Sequence, residues 1–202
     1  IEILTTNQRE MVLDTKDVLI DVARTLFATK GYANTSMNDI ANAANKGRRT
    51  LYTYFKNKDE VFYAVIRAET LALRDYLKQL LTNPAKSPME RLTDYIYVRL
   101  DAVRDIVIRN GGLTAEFFQN QNLVERVRRR LDFSERNYLR LLLEEGKAAG
   151  TMDVPDPAFA ALVLQSALKG MELPYIRGEF ALEIAKKKNL LLDFLRKGFE
   201  SK

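Results

Sequence analysis

Between Lys46 and Lys58 the chain places Lys46, Arg48, Arg49, Lys56 and Lys58 among Thr50, Tyr52, Thr53 and Tyr54, with no acid anywhere in the stretch. These side chains suit one chemistry. An arginine guanidinium donates two hydrogen bonds to a guanine edge, a threonine offers a hydroxyl and a methyl group, and tyrosine and lysine hold phosphate oxygens. The five positive charges here match the net charge of +5 carried by the entire chain. A basic helix face that meets only water has the same composition, so spacing has to separate the two readings.

That spacing is helical. Leu51, Tyr54 and Phe55 recur at three and four residues and can bury one face, which leaves Arg48, Arg49, Thr50 and Thr53 on the rest of the helix. Upstream, Thr35 or Ser36 can cap a preceding short helix, with Asn38 or Asp39 near the reciprocal position. Ile40, Ala41 and Ala44 form the inner side of that helix, and the small alanines let a second helix come close. Asn45 tolerates left-handed backbone angles and can make the sharp turn, and Gly47 is a permissive cap for the helix that starts at Arg48. Two short helices joined this way suit insertion of the second into a DNA major groove, with Arg48, Arg49, Thr50 and Thr53 as base-reading candidates.

The runs GYANTSMNDIA from Gly31 to Ala41 and TLYTYFKNKDEV from Thr50 to Val61 resemble the DNA-binding domain of the TetR (tetracycline repressor) family. The resemblance begins near Thr15 and stops at Val61; beyond it only length and helical pattern are similar. It implies an all-α fold with an N-terminal three-helix helix-turn-helix DNA-binding domain and a C-terminal helical ligand-binding and dimerisation domain. We place the N-terminal arm and helix-turn-helix domain at residues 1–57 and the second domain at 58–202. The resemblance further implies a dimeric transcriptional regulator, usually a repressor, that binds a palindromic double-stranded DNA operator and answers to a small hydrophobic or amphipathic effector. At matching positions it carries over Thr35, Tyr52, Tyr54 and Lys58 as phosphate-positioning residues, with Tyr54 serving as core in the alternative. The family pattern of Gly, an apolar residue, Ser, a basic residue and a small residue is replaced by Asn45, Lys46, Gly47, Arg48 and Arg49. Lys46 and Arg49 bear on base preference more than on fold.

With 202 residues, 47% of them hydrophobic, the chain can bury a sizeable core in one compact unit or two small ones. Cysteine and histidine are both absent. That removes disulfides, thiolate nucleophiles, most zinc sites and every imidazole-dependent catalytic arrangement, so no catalytic residue, cofactor or metal is expected. No apolar run approaches the ~20 residues of a membrane span, and the first residues lack a basic-then-apolar signal pattern, so a soluble, cytoplasmic protein is expected.

Residues 1–14 are either a frayed arm or a leading helical turn. Val18, Leu19, Val22, Ala23, Leu26 and Phe27 stripe a helix that Gly31 stops, and Tyr32 reads as core. A long helix follows from Lys58 to about Leu81, and Ser87-Pro88-Met89-Glu90 starts another. Further helices are expected over residues 113–119, 122–149, 156–174 and 179–199. The last two are expected to form the dimer, or, in the alternative, to close a monomeric bundle. The basic cluster Arg126, Arg128, Arg129 and Arg130 reads as a solvated face.

Polar or aromatic groups on or beside the apolar faces give the ligand-binding candidates Tyr95, Arg99, Phe117, Phe118, Tyr138 and Gln165. Each also fits plain core, and an Arg99 that faced a cavity would suit an acidic effector. A helical adaptor that binds protein through its basic face is a competing class. An enzyme is a weaker one, since Glu116 with Glu172 or Asp101 would need a proximity that spacing does not supply.

Overall fold

The computed structural model describes residues 6–109, 121–177, 183 and 186–199, and among these the regular structure is helical, with no β-strand. In chain order the helices are α1 (Thr6–Lys30), α2 (Met37–Ala43), α3 (Arg48–Tyr54), α4 (Lys58–Leu81), α5 (Pro88–Arg109), α6 (Gln121–Ala148), α7 (Pro157–Ile176) and α8 (Lys188–Phe199). The short helix expected over 113–119 lies outside the described residues. None of the described helices is long and apolar enough to cross a membrane.

Contacts divide the chain into two compact units, Ile1–Glu69 with Val107–Val127, and Thr70–Ile106 with Arg128–Lys202. The division falls inside α4, after Glu69, where the sequence reading placed a boundary after residue 57. The reason is packing: Val61, Phe62, Val65 and Ile66 of α4 are buried together with Leu19, Ala23 and Phe27 of α1, Ile40 and Ala41 of α2, and Leu51 of α3. Phe27, Tyr32 and Phe62 meet as an aromatic trio with ring centroids 5.0 to 5.9 Å apart, so Tyr32 is packed against this core as its position suggested.

Helix α1 starts at Thr6, earlier than its apolar stripe alone indicated, and Gly31 ends it with φ +82°. Ser36 caps α2 through a reciprocal pair: its hydroxyl accepts from the Asp39 amide at 3.1 Å, and the Asp39 carboxylate accepts from the Ser36 amide at 2.8 Å. Asn45 sits at φ 50°, which makes it the residue that reverses the chain between α2 and α3. Gly47 precedes α3 in extended conformation without a side-chain cap.

The second unit closes around Leu92, Tyr95, Ile96 and Leu100 of α5, Leu131, Leu139, Leu142 and Leu143 of α6, and Ala161, Leu168 and Tyr175 of α7. Its helix starts follow the expected chemistry. Ser87 and Glu90 cap α5 reciprocally with Pro88 at its first position, and Asp156 accepts from the Phe159 amide at 3.0 Å ahead of Pro157. Buried Arg91 donates to the Leu81 carbonyl at 3.1 Å and pairs with Glu145, which ties the end of α4 to α5 and α6. In α6, Leu139, Leu142 and Leu143 are inside and Leu141 is exposed.

Two stability effects follow. Asn45→Gly should leave stability unchanged or slightly raised in urea unfolding, whereas Asn45→Val should cost about 1–2 kcal/mol, because a β-branched side chain resists positive φ. Hydrogen bonds from the Ser36 hydroxyl and amide, helped by Lys30, hold the Asp39 carboxyl below its ordinary value. A carboxylate depressed on folding stabilises the fold above its unfolded pKa and loses that contribution as pH falls through the folded one. Ser36→Ala should therefore lower stability at pH 7 and flatten the acid limb of the Tm against pH curve below about pH 4.

Candidate nucleic-acid interface

Helix α3 turns one side into the core and leaves the other open. Leu51 is fully buried, Phe55 beyond the helix end is buried, and Tyr54 is half-buried against the same core, so it packs as the core alternative for that residue described. Arg48, Arg49, Tyr52 and Thr53 are exposed and Thr50 is half-buried. The Arg48 guanidinium lies 5.6 Å from the centroid of the Tyr52 ring, and the Thr53 hydroxyl donates to the Arg49 carbonyl at 3.0 Å. Both contacts restrict side chains on the open face before any ligand arrives. Lys46 and Lys56, also exposed, flank the helix at either end. The charge is thus concentrated on one solvent-facing surface.

Two of the carried-over residues are placed differently. Thr35 is buried, and its hydroxyl donates to the carbonyls of Gly31 at 2.8 Å and Leu26 at 3.4 Å. The ammonium of Lys58 donates to the Tyr32 carbonyl at 2.8 Å and reaches the Ala33 carbonyl at 3.5 Å, with the Tyr32 ring centroid 4.2 Å away. Both side chains close the loop between α1 and α2. The Thr35 hydroxyl is withdrawn from solvent, while Lys58 is half-buried.

The family model described as "Bacterial regulatory proteins, tetR family" matches residues 19–65, the span from the buried half of α1 to the first turns of α4. Residues 19–65 are similar to the DNA-binding region of the TetR family. Among similar proteins, the probable acrEF/envCD operon repressor of Escherichia coli (strain K12) is 25% identical over 190 residues, covering 90% of this chain and 84% of that one. A transcriptional regulator of the TetR/AcrR family from Thermobifida fusca YX-ER1 is 27% identical with a TM-score of 0.63, over 81% of this chain and 85% of that structure. The flavonoid-responsive regulator FrrA is also 27% identical, with a TM-score of 0.57, over 82% of this chain and 85% of that one. The chain is a DNA-binding transcriptional regulator rather than an enzyme.

The ligand candidates separate into two groups. Phe117 and Phe118 lie outside the described residues, and so does Glu116. Tyr95, Arg99 and Gln165 converge on two acids that the sequence reading did not assign to them. Glu135 accepts from Tyr95 Oη at 2.9 Å, Arg99 Nε at 2.5 Å and Gln165 Nε2 at 3.1 Å. Glu172 faces Arg99 Nη2 at 2.6 Å, and Arg136 Nε donates to Gln165 Oε1 at 2.9 Å. Tyr138 is half-buried beside this core. Arg99 therefore meets two carboxylates.

A signal for the missed acids existed. Glu135 stands four residues from both Leu131 and Leu139, and Glu172 four from Leu168 and three from Tyr175, so each interrupts a buried stripe. Burial by itself would lower the Arg99 pKa; Glu135 and Glu172 reverse that and hold it above the ordinary arginine value. Burial, with Glu135 beside it, likewise pushes the Tyr95 phenol well above its usual range. Among the described residues no cluster of His, Cys, Asp or Glu is arranged to hold a metal. Replacing Arg99 with Met would leave two buried carboxylates without their cation, and chemical denaturation should show a loss of about 3–5 kcal/mol. Placing Gln at both Glu135 and Glu172 in that background should recover part of the loss.

Proposed function

We propose that the chain is an effector-controlled repressor that binds a palindromic operator as a dimer, with α3 reading bases through Arg48, Arg49, Thr50 and Thr53. The observation that carries this reading is the open face of α3, which sets exposed guanidinium and hydroxyl groups on a helix whose other side is held by Leu51. Seven residues of helix fit the width of a major groove, and two copies would enter grooves about 34–36 Å apart. Tyr52 is the phosphate-positioning residue of this face, fixed by its stack with Arg48. Thr35 and Tyr54 serve the same surface from behind, by holding the frame on which α3 rests.

The functional division assigns residues 1–57 to DNA reading and 58–202 to effector binding and dimerisation. Effector binding rests on the buried polar cluster of Tyr95, Arg99, Glu135, Gln165 and Glu172, and it accords with the flavonoid response named for FrrA. Arg99 Nη1 is buried and makes no hydrogen bond among the described residues, so an acceptor group on a bound molecule would satisfy it. An effector controls such a regulator only if it prefers one of the two arrangements of the dimer. Dimerisation through α7 and the last helix is supported by the apolar side chains that one chain leaves uncovered there. Phe159 is 62% exposed and Phe194 73%, with Leu162, Val163 and Leu190 beside them on the same elements.

Selection from a random duplex DNA pool at two salt concentrations tests the reading. A palindrome should be enriched by the parent protein, and Arg49→Ala and Thr53→Ala should each relax the preference at one position per half-site, by about 1–3 kcal/mol for a bidentate arginine contact. Salt-dependent binding without an enriched sequence would leave only phosphate neutralisation and would remove operator reading.

A further inference from the structure

Helix α7 sets no charge on the side it leaves open. Its two charged residues, Lys169 and Glu172, are committed within the chain, to Asp132 at 2.8 Å and to Arg99 at 2.6 Å. The open side carries Phe159, Val163, Ser166 and Gly170, all exposed, at i, i+4, i+7 and i+11, which is one straight line along a helix. A helix face without a single charged or long polar side chain is built to be covered rather than solvated.

Gly170 is the residue of that line which the chain itself does not explain. It lies inside a helix, where glycine is a poorer choice than alanine, and it has no positive φ to require it. A β-carbon there would meet no atom within 4 Å beyond its own helical turn, so no neighbour in the chain excludes a side chain. A glycine in this setting serves a close approach from outside the subunit.

A two-fold dimer places one patch against its own copy, so the patch must be complementary to itself when reversed. The line on α7 meets that condition about the point between Leu164 and Gln165. Reversal there sets Phe159 opposite Gly170 and Val163 opposite Ser166, the largest side chain against the missing one and the next largest against a small one. Neighbouring registers lose the match. Moved towards the start of α7, Phe159 meets Val163 and bulk opposes bulk; moved towards its end, Ser166 meets Gly170 and leaves a void. Area points to a second copy as well, since Phe159, Leu162, Val163, Leu190 and Phe194 together expose on the order of 500 Å², most of the ~800 Å² that each partner of a stable complex contributes.

We propose that two copies of this chain pair through an antiparallel crossing of α7, in which Phe159 of each subunit fills the notch over the partner's Gly170 and Val163 packs on the partner's Ser166. The proposal rests on the dimeric reading above and adds its register.

The chain has no cysteine, so introduced thiols report on the pairing without interference. Full-length Val163→Cys and Ser166→Cys chains carrying different affinity tags, coexpressed and then oxidised, should give mainly the mixed disulfide dimer. Disulfides mainly between like chains, in a protein that sediments as a dimer, would overturn the register and leave the dimeric reading standing. A monomeric parent at micromolar concentration would overturn both and assign the face to a different partner. The second arm uses bulk. Gly170→Phe should keep the parent's helical circular dichroism, because the ring enters open space in the single subunit, and should raise the dimer dissociation constant about a hundredfold. Adding Phe159→Ala exchanges the large and small positions and should bring that constant back to within about tenfold of the parent. A Gly170→Phe dimer as tight as the parent, or no recovery with Phe159→Ala, would also overturn the register.

Discussion

Helix α3 is seven residues long, well short of the ~12–15 that a helix needs to persist in water, so its existence depends on what Leu51 is packed against. That one side chain is buried in a core shared by α1, α2 and α4. The alanines at 41 and 44 allow close approach, and the left-handed turn at Asn45 delivers the chain to that contact without an intervening loop. Because tertiary packing rather than propensity maintains the helix, its outer face is free of any stabilising duty. Arg48, Arg49, Thr50 and Thr53 are then free of a packing role, although the β-branched threonines do little for helix propensity on their own.

The same dependence explains why so much polar chemistry lies behind α3. The loop from residue 31 to 36 must stop one helix and start another within a few residues, and its backbone carbonyls need donors. Thr35, Asn34 and Lys58 provide them, and Ser36 with Asp39 starts α2. Hydroxyl groups that look, by type, like phosphate ligands are occupied inside the domain. Residue type near a DNA-binding helix is therefore weak evidence of contact; the direction in which the donor is already committed decides it.

Local features were legible in the sequence. The left-handed turn at Asn45, the cap at Ser36, the apolar stripe of α1 and the Ser-Pro start of α5 each follow from residues within one or two turns of each other. What was not legible depends on rotation and long-range pairing. The Arg99 partners stand 36 and 73 residues away in sequence, at Glu135 and Glu172, and the Lys58 partner carbonyl stands 26 residues back. In α6 the buried Leu131, Glu135, Leu139 and Leu142 recur at three and four residues, and Leu141, equally apolar, lies off that stripe and is exposed.

The two charged regions of the protein obey opposite economies of solvation. On α3 the arginines stay hydrated, and their attraction to a polyanion is screened by salt. In the second unit Arg99, Glu135 and Glu172 are nearly free of water, where attraction is strong but desolvation is costly, and a well-packed apolar trio would be as stable or more so. Stability alone does not account for the cluster. Its donors and acceptors interlock Tyr95 and Arg99 of α5, Glu135 of α6, and Gln165 and Glu172 of α7, so a change in any one helix breaks hydrogen bonds in the others. Apolar contacts slide by small steps, whereas a dry ion network is either made or broken. A network of that kind resists partial displacement of any one of the three helices it joins.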